Sequence, residues 1–384
     1  MSMGKIVEKP FEYLTRKENG KKFEDEIVRN WYIARSFVLS KFKEEKVGFT
    51  PDSNDHLHVV VVGDSPMMLS VVRQVALTAH FVNFREGCET EAPRNRTVIT
   101  LVSKNPNVKT KLEKEEYLCN LPKYCKMINN GITTENEGFF IDIEIHIVDD
   151  YSVDSKEDGT ICFSESDVDV FCKKATEEVY GIDTRMSIYT SRIYDLGVEF
   201  HNIPAEDIHS ARRYSLALNI FQHEMLKKNA RNMITEKWET MSLCKIKEQI
   251  SNILCSDCFA LRNECIRLCK EDKSLSNNVL WEKYNELLSV SEHARWIVEK
   301  LIMGYRPFNE IERYHDETLH AQFKNKDKRK KYRDGLKRND QDPAHIDLCP
   351  YRDLRRINPD DMKYDSFLML AIPKILERMK ADAR

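Results

Sequence analysis

Short apolar runs alternate with longer segments of helical spacing through the middle of the chain. Residues 57–62, Leu-His-Val-Val-Val-Val, give the clearest strand pattern and end at Gly63. A β-branched run of this kind suits a strand buried on both faces of a parallel sheet. A helix is predicted at once over 66–80, with Met67, Val71, Val75 and Leu77 available to pack. Further strands are predicted over 97–102 and 139–148. The second alternates apolar and polar residues, which predicts one wetter face. A helix over 168–179 and strands over 185–189 and 197–200 continue the alternation. The pattern predicts an α/β domain with a doubly wound, mostly parallel sheet.

Upstream, Ile27, Trp31, Ala34, Phe37 and Val38 recur at helical spacing and predict a helix over 23–42. The stretch 46–55, with Gly48, Pro51 and Asp-Ser-Asn-Asp, reads as a linker. From residue 205 onward the pattern turns almost wholly helical. Continuous helices are predicted over 245–270 and over 280–303, the latter closed by Gly304. A last helix is predicted over 363–379. The segment 324–338 is dense in lysine and arginine, which predicts an exposed hairpin or loop, either a solvated insertion or a basic anion-binding patch. The resulting divisions are an extension and linker (1–55), the sheet domain (56–204), a helical connector (205–279) and a mainly helical C-terminal domain (280–384).

Composition narrows the class. With 41% hydrophobic and 32% charged residues over 384 positions, the chain can bury cores for two or three domains. Sixty Lys and Arg against 63 Asp and Glu give a formal charge of −3, which argues against dedicated nucleic-acid binding. No apolar run approaches the ~20 residues of a membrane helix. The N-terminus continues from Met-Ser-Met-Gly-Lys in charged residues without an apolar signal core, which predicts a cytoplasmic protein. Eleven scattered cysteines fit reduced thiols. Cys255 and Cys258 carry the two-residue gap of a zinc knuckle. With Cys265 and Cys269, however, they follow helix-face intervals, so small buried thiols are the alternative to a metal site.

The turn after the first strand is where a mononucleotide fold would hold a phosphate against a helix N-terminus. Here it reads Gly63-Asp64-Ser65-Pro66-Met67-Met68, with only the first glycine of a dinucleotide fingerprint. Asp64 would repel a phosphate, and the second strand ends in Ser103-Lys104 with no acid to grip a ribose. Three readings stay open: a nicotinamide cofactor, a modified nucleotide-type ligand, or a site that binds nothing. His56, His58, His80, His293 and His345 form no triad or metal pattern.

His58 to Gly63, the helix through Gln74 to His80, and Arg96 to Leu101 resemble the nucleotide-binding domain of potassium-uptake regulators. Trp238, Ser251-Asn252 and Asp257 match the helical connector of the bacterial version that is joined to a ryanodine-receptor (RyR) repeat domain. Glu292-His-Ala-Arg-Trp296, Gly304-Tyr-Arg306, His345 to Leu354, Asp365 and Ile372-Pro373 are similar to an RyR domain along its length. The resemblance covers roughly 56–380. It departs in the eroded glycine loop and in the basic insertion between Arg306 and His345.

The resemblance implies a Rossmann-like domain followed by an RyR-like recognition module without catalytic activity. His293, Trp296, Tyr305, Arg306, His345 and Tyr351 would offer an aromatic platform and a guanidinium to a purine or phosphorylated ligand. The same aromatics could instead be the core of a small domain, with Arg295 and Asp347 paired. The expectation is a cytoplasmic, non-enzymatic sensor of a nucleotide-derived small molecule. It would act as a homo-oligomer with no definite cofactor, in bacterial stress or antiviral signalling by analogy. The alternatives are a nucleotide-processing or NAD(P)-dependent enzyme using the Gly63 crevice, and an interaction scaffold with an inactive Rossmann site.

Overall fold

The computed structural model describes residues 26–62, 64, 66–88, 91–103, 105–114, 117–130, 132–134, 140–148, 246–270, 276–323, 326–339 and 341–382. The elements expected over 168–179, 185–189 and 197–200 lie outside them. Helix α1 (Glu26–Glu44) leads to β1 (His58–Val62), α2 (Pro66–Thr78) and β2 (Thr97–Val102). Two short helices, α3 (Val108–Leu112) and α4 (Leu121–Tyr124), precede the hairpin β3 (Lys126–Asn129)–β4 (Ile132–Thr134) and strand β5 (Ile143–Val148). Among the described residues the sheet order is β1-β2-β5-β3-β4, with only the β3–β4 pair antiparallel. The protein is thus α/β, with a mostly parallel five-stranded sheet.

Side-chain alternation gives the sheet two unlike faces. Val59, Val61, Ile99, Leu101, Ile145 and Ile147 join α1 and α2 in the main hydrophobic core. His58, Thr100, Glu144 and His146 alternate with them on the other face of β1, β2 and β5, with Thr100 directly opposite His146 and His58 one pair offset. One face of the strand over 139–148 was expected to be wetter, yet Glu144 and His146 are buried on it, as are His58 and Thr100 beside them. Their polar groups pair with one another instead: His58 Nε2 meets Thr100 Oγ1 at 2.8 Å, and Glu144 Oε1 lies 2.7 Å from His146 Nε2 and 2.8 Å from Lys126 Nζ. Burial alone would raise the Glu144 carboxyl, but His146 and Lys126 outweigh it and hold it at about 2. Burial and the neighbouring His146 push the His58 imidazole down to about 3.

The expected linker at 46–55 is packed. Phe49 is buried edge-to-face on Phe81, and Arg85 Nη2 donates to Pro51 O at 2.7 Å. Polar, turn-rich composition resembles a linker, but side chains from elsewhere satisfy these carbonyls.

The C-terminal half contains α5 (Ile246–Asp257), α6 (Phe259–Leu268), α7 (Asn277–Lys283), α8 (Asn285–Ile302), α9 (Glu310–Phe323), α10 (Lys326–Lys337), α11 (Tyr351–Ile357) and α12 (Pro359–Asp382). Two-residue strands β6 (Arg306–Pro307) and β7 (Ala344–His345) pair in parallel. Two helices expected to be continuous are broken. Residues 246–268 break at Cys258, whose thiol lies 3.4 Å from Thr78 O and 3.8 Å from Leu77 O, at the end of α2. Cys265 Sγ accepts from Phe49 N at 3.4 Å. These thiols act as separate buried packing groups, and burial pushes Cys258 up to about 12. Helices α7 and α8 part at Tyr284. The basic segment at 326–337 is helical, not a loop: Tyr332 and Leu336, four apart, pack on Phe308, Ala344 and Ile346. Lysine and arginine favour helix, and two apolar positions suffice to seat it.

Gly304, at φ +86°, ends α8 as expected. Its N–H reaches Leu301 O at 3.0 Å, and Tyr305 N–H reaches Lys300 O at 2.9 Å, the paired bonds of a left-handed glycine cap. The chain can then turn into β6.

A buried ionic chain holds α8 in place. Glu292 Oε2 accepts from Arg262 Nη2 of α6 at 2.6 Å, and Arg295 straddles Glu292 and Glu299 at 2.8 and 2.7 Å. Ser251 Oγ of α5 donates to Glu299 at 2.8 Å, and Lys300 completes the pairing. Burial opposes the charge on Glu292, but Arg295 and Arg262 hold its carboxyl at about 2. Arg295 therefore pairs within its own helix and not with Asp347. Arg35 of α1 pairs with Asp257 at 2.5 Å in the same buried region. Removing one partner of such a pair strands a buried charge and costs about 3–5 kcal/mol. Glu292→Ala should lower the unfolding free energy by that amount in chemical denaturation, and a loss near zero would show that the chain does not bear on stability.

Candidate functional site

Five of the six C-terminal candidates converge. His293 stacks on Trp296 (centroids 6.0 Å, 16°) and meets Tyr351 edge-on at 5.5 Å. His345 lies edge-to-face on Trp296 at 5.0 Å, with Tyr305 6.2 Å away. His293 and Trp296 are three apart on α8, His345 comes from β7 and Tyr351 opens α11. Tyr305, Tyr351, His293 and His345 are buried and Trp296 is half-buried, so the cluster is mostly core.

The two histidines differ in charge. His293 places one ring nitrogen 3.3 Å from Asp365 Oδ2 and the other 3.0 Å from Cys349 O. Donating to both requires the imidazolium. Burial works against that charge, but Asp365 and Cys349 O raise the pKa well above the usual value. His345 is held well below it by burial and by Lys337, Lys300 and His293. Its Nδ1 accepts from Asp347 N at 3.3 Å, which leaves the ring proton on Nε2, a buried donor with no hydrogen-bond partner.

His345 lines a cleft of about 560 Å³. One wall is the mainly basic face of α10: Arg329, Lys330, Arg333 and Lys337, with Asp334 among them. Asp316 of α9, 1% exposed, holds Arg329 at 2.6 Å and Arg333 at 2.7 Å. Lys330 and Lys337 have no carboxylate partner among the described residues. The opposite wall carries Asp347, Asn358 and Asp361. Asn358 Nδ2 bridges Asp347 Oδ1 at 3.0 Å and Asp361 Oδ2 at 2.7 Å. Burial, then the facing Asp361 carboxylate, pushes Asp347 up to about 7.

Arg306 is apart from this cleft. Its guanidinium is occupied by Glu312 at 2.7 Å and Asp342 at 2.8 Å, beside a smaller cavity of about 380 Å³ lined also by Tyr124, Phe140 and Arg313. At the crevice after β1, Gly63 and Ser65 lie outside the described residues. Asp64 accepts from Asn105 Nδ2 and Lys111 Nζ, each at 2.6 Å, so the Lys111 cation at this turn is already paired. Burial would raise the Asp64 carboxyl, but Lys111 and Asn105 lower it. Pro66 opens α2, Met67 is buried beneath it, and Ser103 Oγ accepts from Asn105 N at 3.0 Å. The crevice and the C-terminal cleft are separate places.

The two halves interlock. Asn120 Nδ2 donates to Gly304 O and Tyr305 O at 2.7 and 3.0 Å. Glu86 accepts from Tyr351 N at 2.6 Å at the start of α11. No helix among the described residues is long and apolar enough to cross a membrane. Sequence reasoning missed Lys330, Lys337, Asn358 and Asp361. The basic density at 324–338 was visible, but nothing in it announced the acidic wall opposite. In comparisons with known proteins, no family model, no curated protein and no solved structure matches the chain.

The Asp347–Asp361 pair generates a pH dependence. Asp347 keeps its proton to about pH 7 when folded, against about 3.9 unfolded. The native state therefore binds more protons between these values, and stability falls as pH rises through that window. Asp361→Asn removes the repelling carboxylate and keeps an acceptor for Asn358. The variant should be more stable than the parent by about 1 kcal/mol at pH 8 and equal to it at pH 4. Thermal denaturation at both pH values checks this; a variant less stable at pH 8 would contradict it.

Proposed function

We propose that the protein is a non-enzymatic sensor that binds an anionic, nucleotide-derived small molecule in the C-terminal cleft and passes the binding energy to assembly or to a partner. The observation that carries this reading is the unpaired lysine pair, Lys330 and Lys337, on one wall of a cleft large enough for a mononucleotide. An anion there gains charge-assisted hydrogen bonds without breaking an existing ion pair. At the Gly63 crevice it would first have to displace Asp64 from Lys111. That difference favours the sensor over a nucleotide-processing or NAD(P)-dependent enzyme at the crevice.

The resemblance to an RyR domain supports a recognition module in 280–384. The parallel strands β1 and β2, joined through α2, support reading the sheet as Rossmann-like. Transmission to the sheet half has a physical route, because Asn120 and Glu86 grip the C-terminal half on both sides of the cluster around Trp296.

The test is calorimetric titration with AMP, GMP and inorganic phosphate. Lys330→Glu/Lys337→Glu should leave the unliganded protein within about 1 kcal/mol of the parent, since both side chains are exposed. It should weaken nucleotide binding by about 1.5–3 kcal/mol per lost contact. Unchanged affinity in the double variant would remove the cleft as the site.

A further inference from the structure

The second cavity, about 380 Å³, draws its walls from both halves of the protein. Tyr124, at the end of α4, and Phe140, just before β5, line it from the sheet half. Arg306, Phe308, Arg313 and Asp342 line it from the C-terminal half. Its volume is that of a small-molecule site, and aromatic rings with a few placed polar groups are the usual lining of one.

The charges on the wall are unequally matched. Arg306 is spent on Glu312 and Asp342, at 2.7 and 2.8 Å. Arg313 donates Nε–H to Phe308 O at 3.0 Å, which ties its guanidinium to that backbone, and among the described residues no carboxylate pairs with it. Its two Nη groups remain as a fork that matches a carboxylate. Glu312 and Asp342 already set two negative charges against the single charge of Arg306. Arg313 balances that excess, so one further negative charge can be held at its fork and a phosphate dianion would be repelled.

We propose that this cavity binds a small aromatic monocarboxylate, with the ring among Tyr124, Phe140 and Phe308 and the carboxylate on Arg313. The site is separate from the α10 cleft and does not depend on nucleotide binding there. Its occupant bridges the halves beside the hydrogen bonds from Asn120 to Gly304 O and Tyr305 O.

Calorimetric titration of the full chain with phenylacetate, phenethyl alcohol and acetate tests this. Phenethyl alcohol keeps the ring and loses the charge, whereas acetate keeps the charge and loses the ring. Each should bind about tenfold more weakly than phenylacetate, or weaker still. Arg313→Gln should bring the affinity for phenylacetate down to that for the alcohol. Arg313 is exposed, so the variant should keep the parent's midpoint in urea denaturation. The ratio of acid to alcohol in the parent tests the charge without any variant. No binding of phenylacetate to the parent at millimolar concentration, equal binding of acid and alcohol, or undiminished affinity in Arg313→Gln would each overturn the inference. All three outcomes leave the α10 cleft untouched, because its own test rests on Lys330 and Lys337.

Discussion

A buried carboxylate must be paired, and in this protein Glu292 imposes that requirement on most of the C-terminal half. Its oxygens are shared between Arg262 of α6 and Arg295 of its own helix, while Glu299, two turns beyond Glu292, closes the chain to Ser251 and Lys300. A hydrophobic interface tolerates sliding, because apolar contacts are non-directional. A chain of charge-assisted bonds near 2.7 Å does not. Helix α8 therefore has one rotation and one height, and α6 carries that placement to the sheet half through Cys258 at the end of α2.

From that fixed helix the adjoining face projects His293 and Trp296 toward β7 and α11. His293, charged and tied to Asp365 and Cys349 O, anchors the cluster. His345, neutral, keeps its Nε2 donor buried among the aromatic rings, on the ring edge away from Asp347. Two imidazoles a few ångströms from the same indole thus take opposite protonation states. One has two acceptors, and the other is buried with Lys337, Lys300 and His293 around it. The cleft combines this rigid floor with the wall of α10, which Asp316 ties to α9 through Arg329 and Arg333.

Much of the sheet was legible. The Val59–Val62 run, the helix opening at Pro66 and the strand Thr97–Val102 are continuous apolar patterns set by local sequence. The β3–β4 hairpin was missed because Lys126–Asn129 and Ile132–Thr134 are too short and polar to show a period. The breaks at Cys258 and Tyr284 were invisible because neither residue is a helix breaker; tertiary contacts place them. The Glu292-His-Ala-Arg-Trp motif was seen as one unit. It divides by helix face into a structural ionic chain and an aromatic cluster, a division that only the positions of α6 and β7 reveal. The cleft was the least legible feature, since its walls come from segments about thirty residues apart whose meeting depends on the α9–α10 hairpin folding back.

The central claim is that ligand binds at the α10 cleft and not at the crevice after β1. Hydrogen–deuterium exchange of the full chain with and without saturating GMP tests it directly. The account predicts slowed exchange confined mainly to residues 326–337 and 344–361. Protection concentrated at 64–70 and 103–111, with the α10 region unchanged, would contradict it.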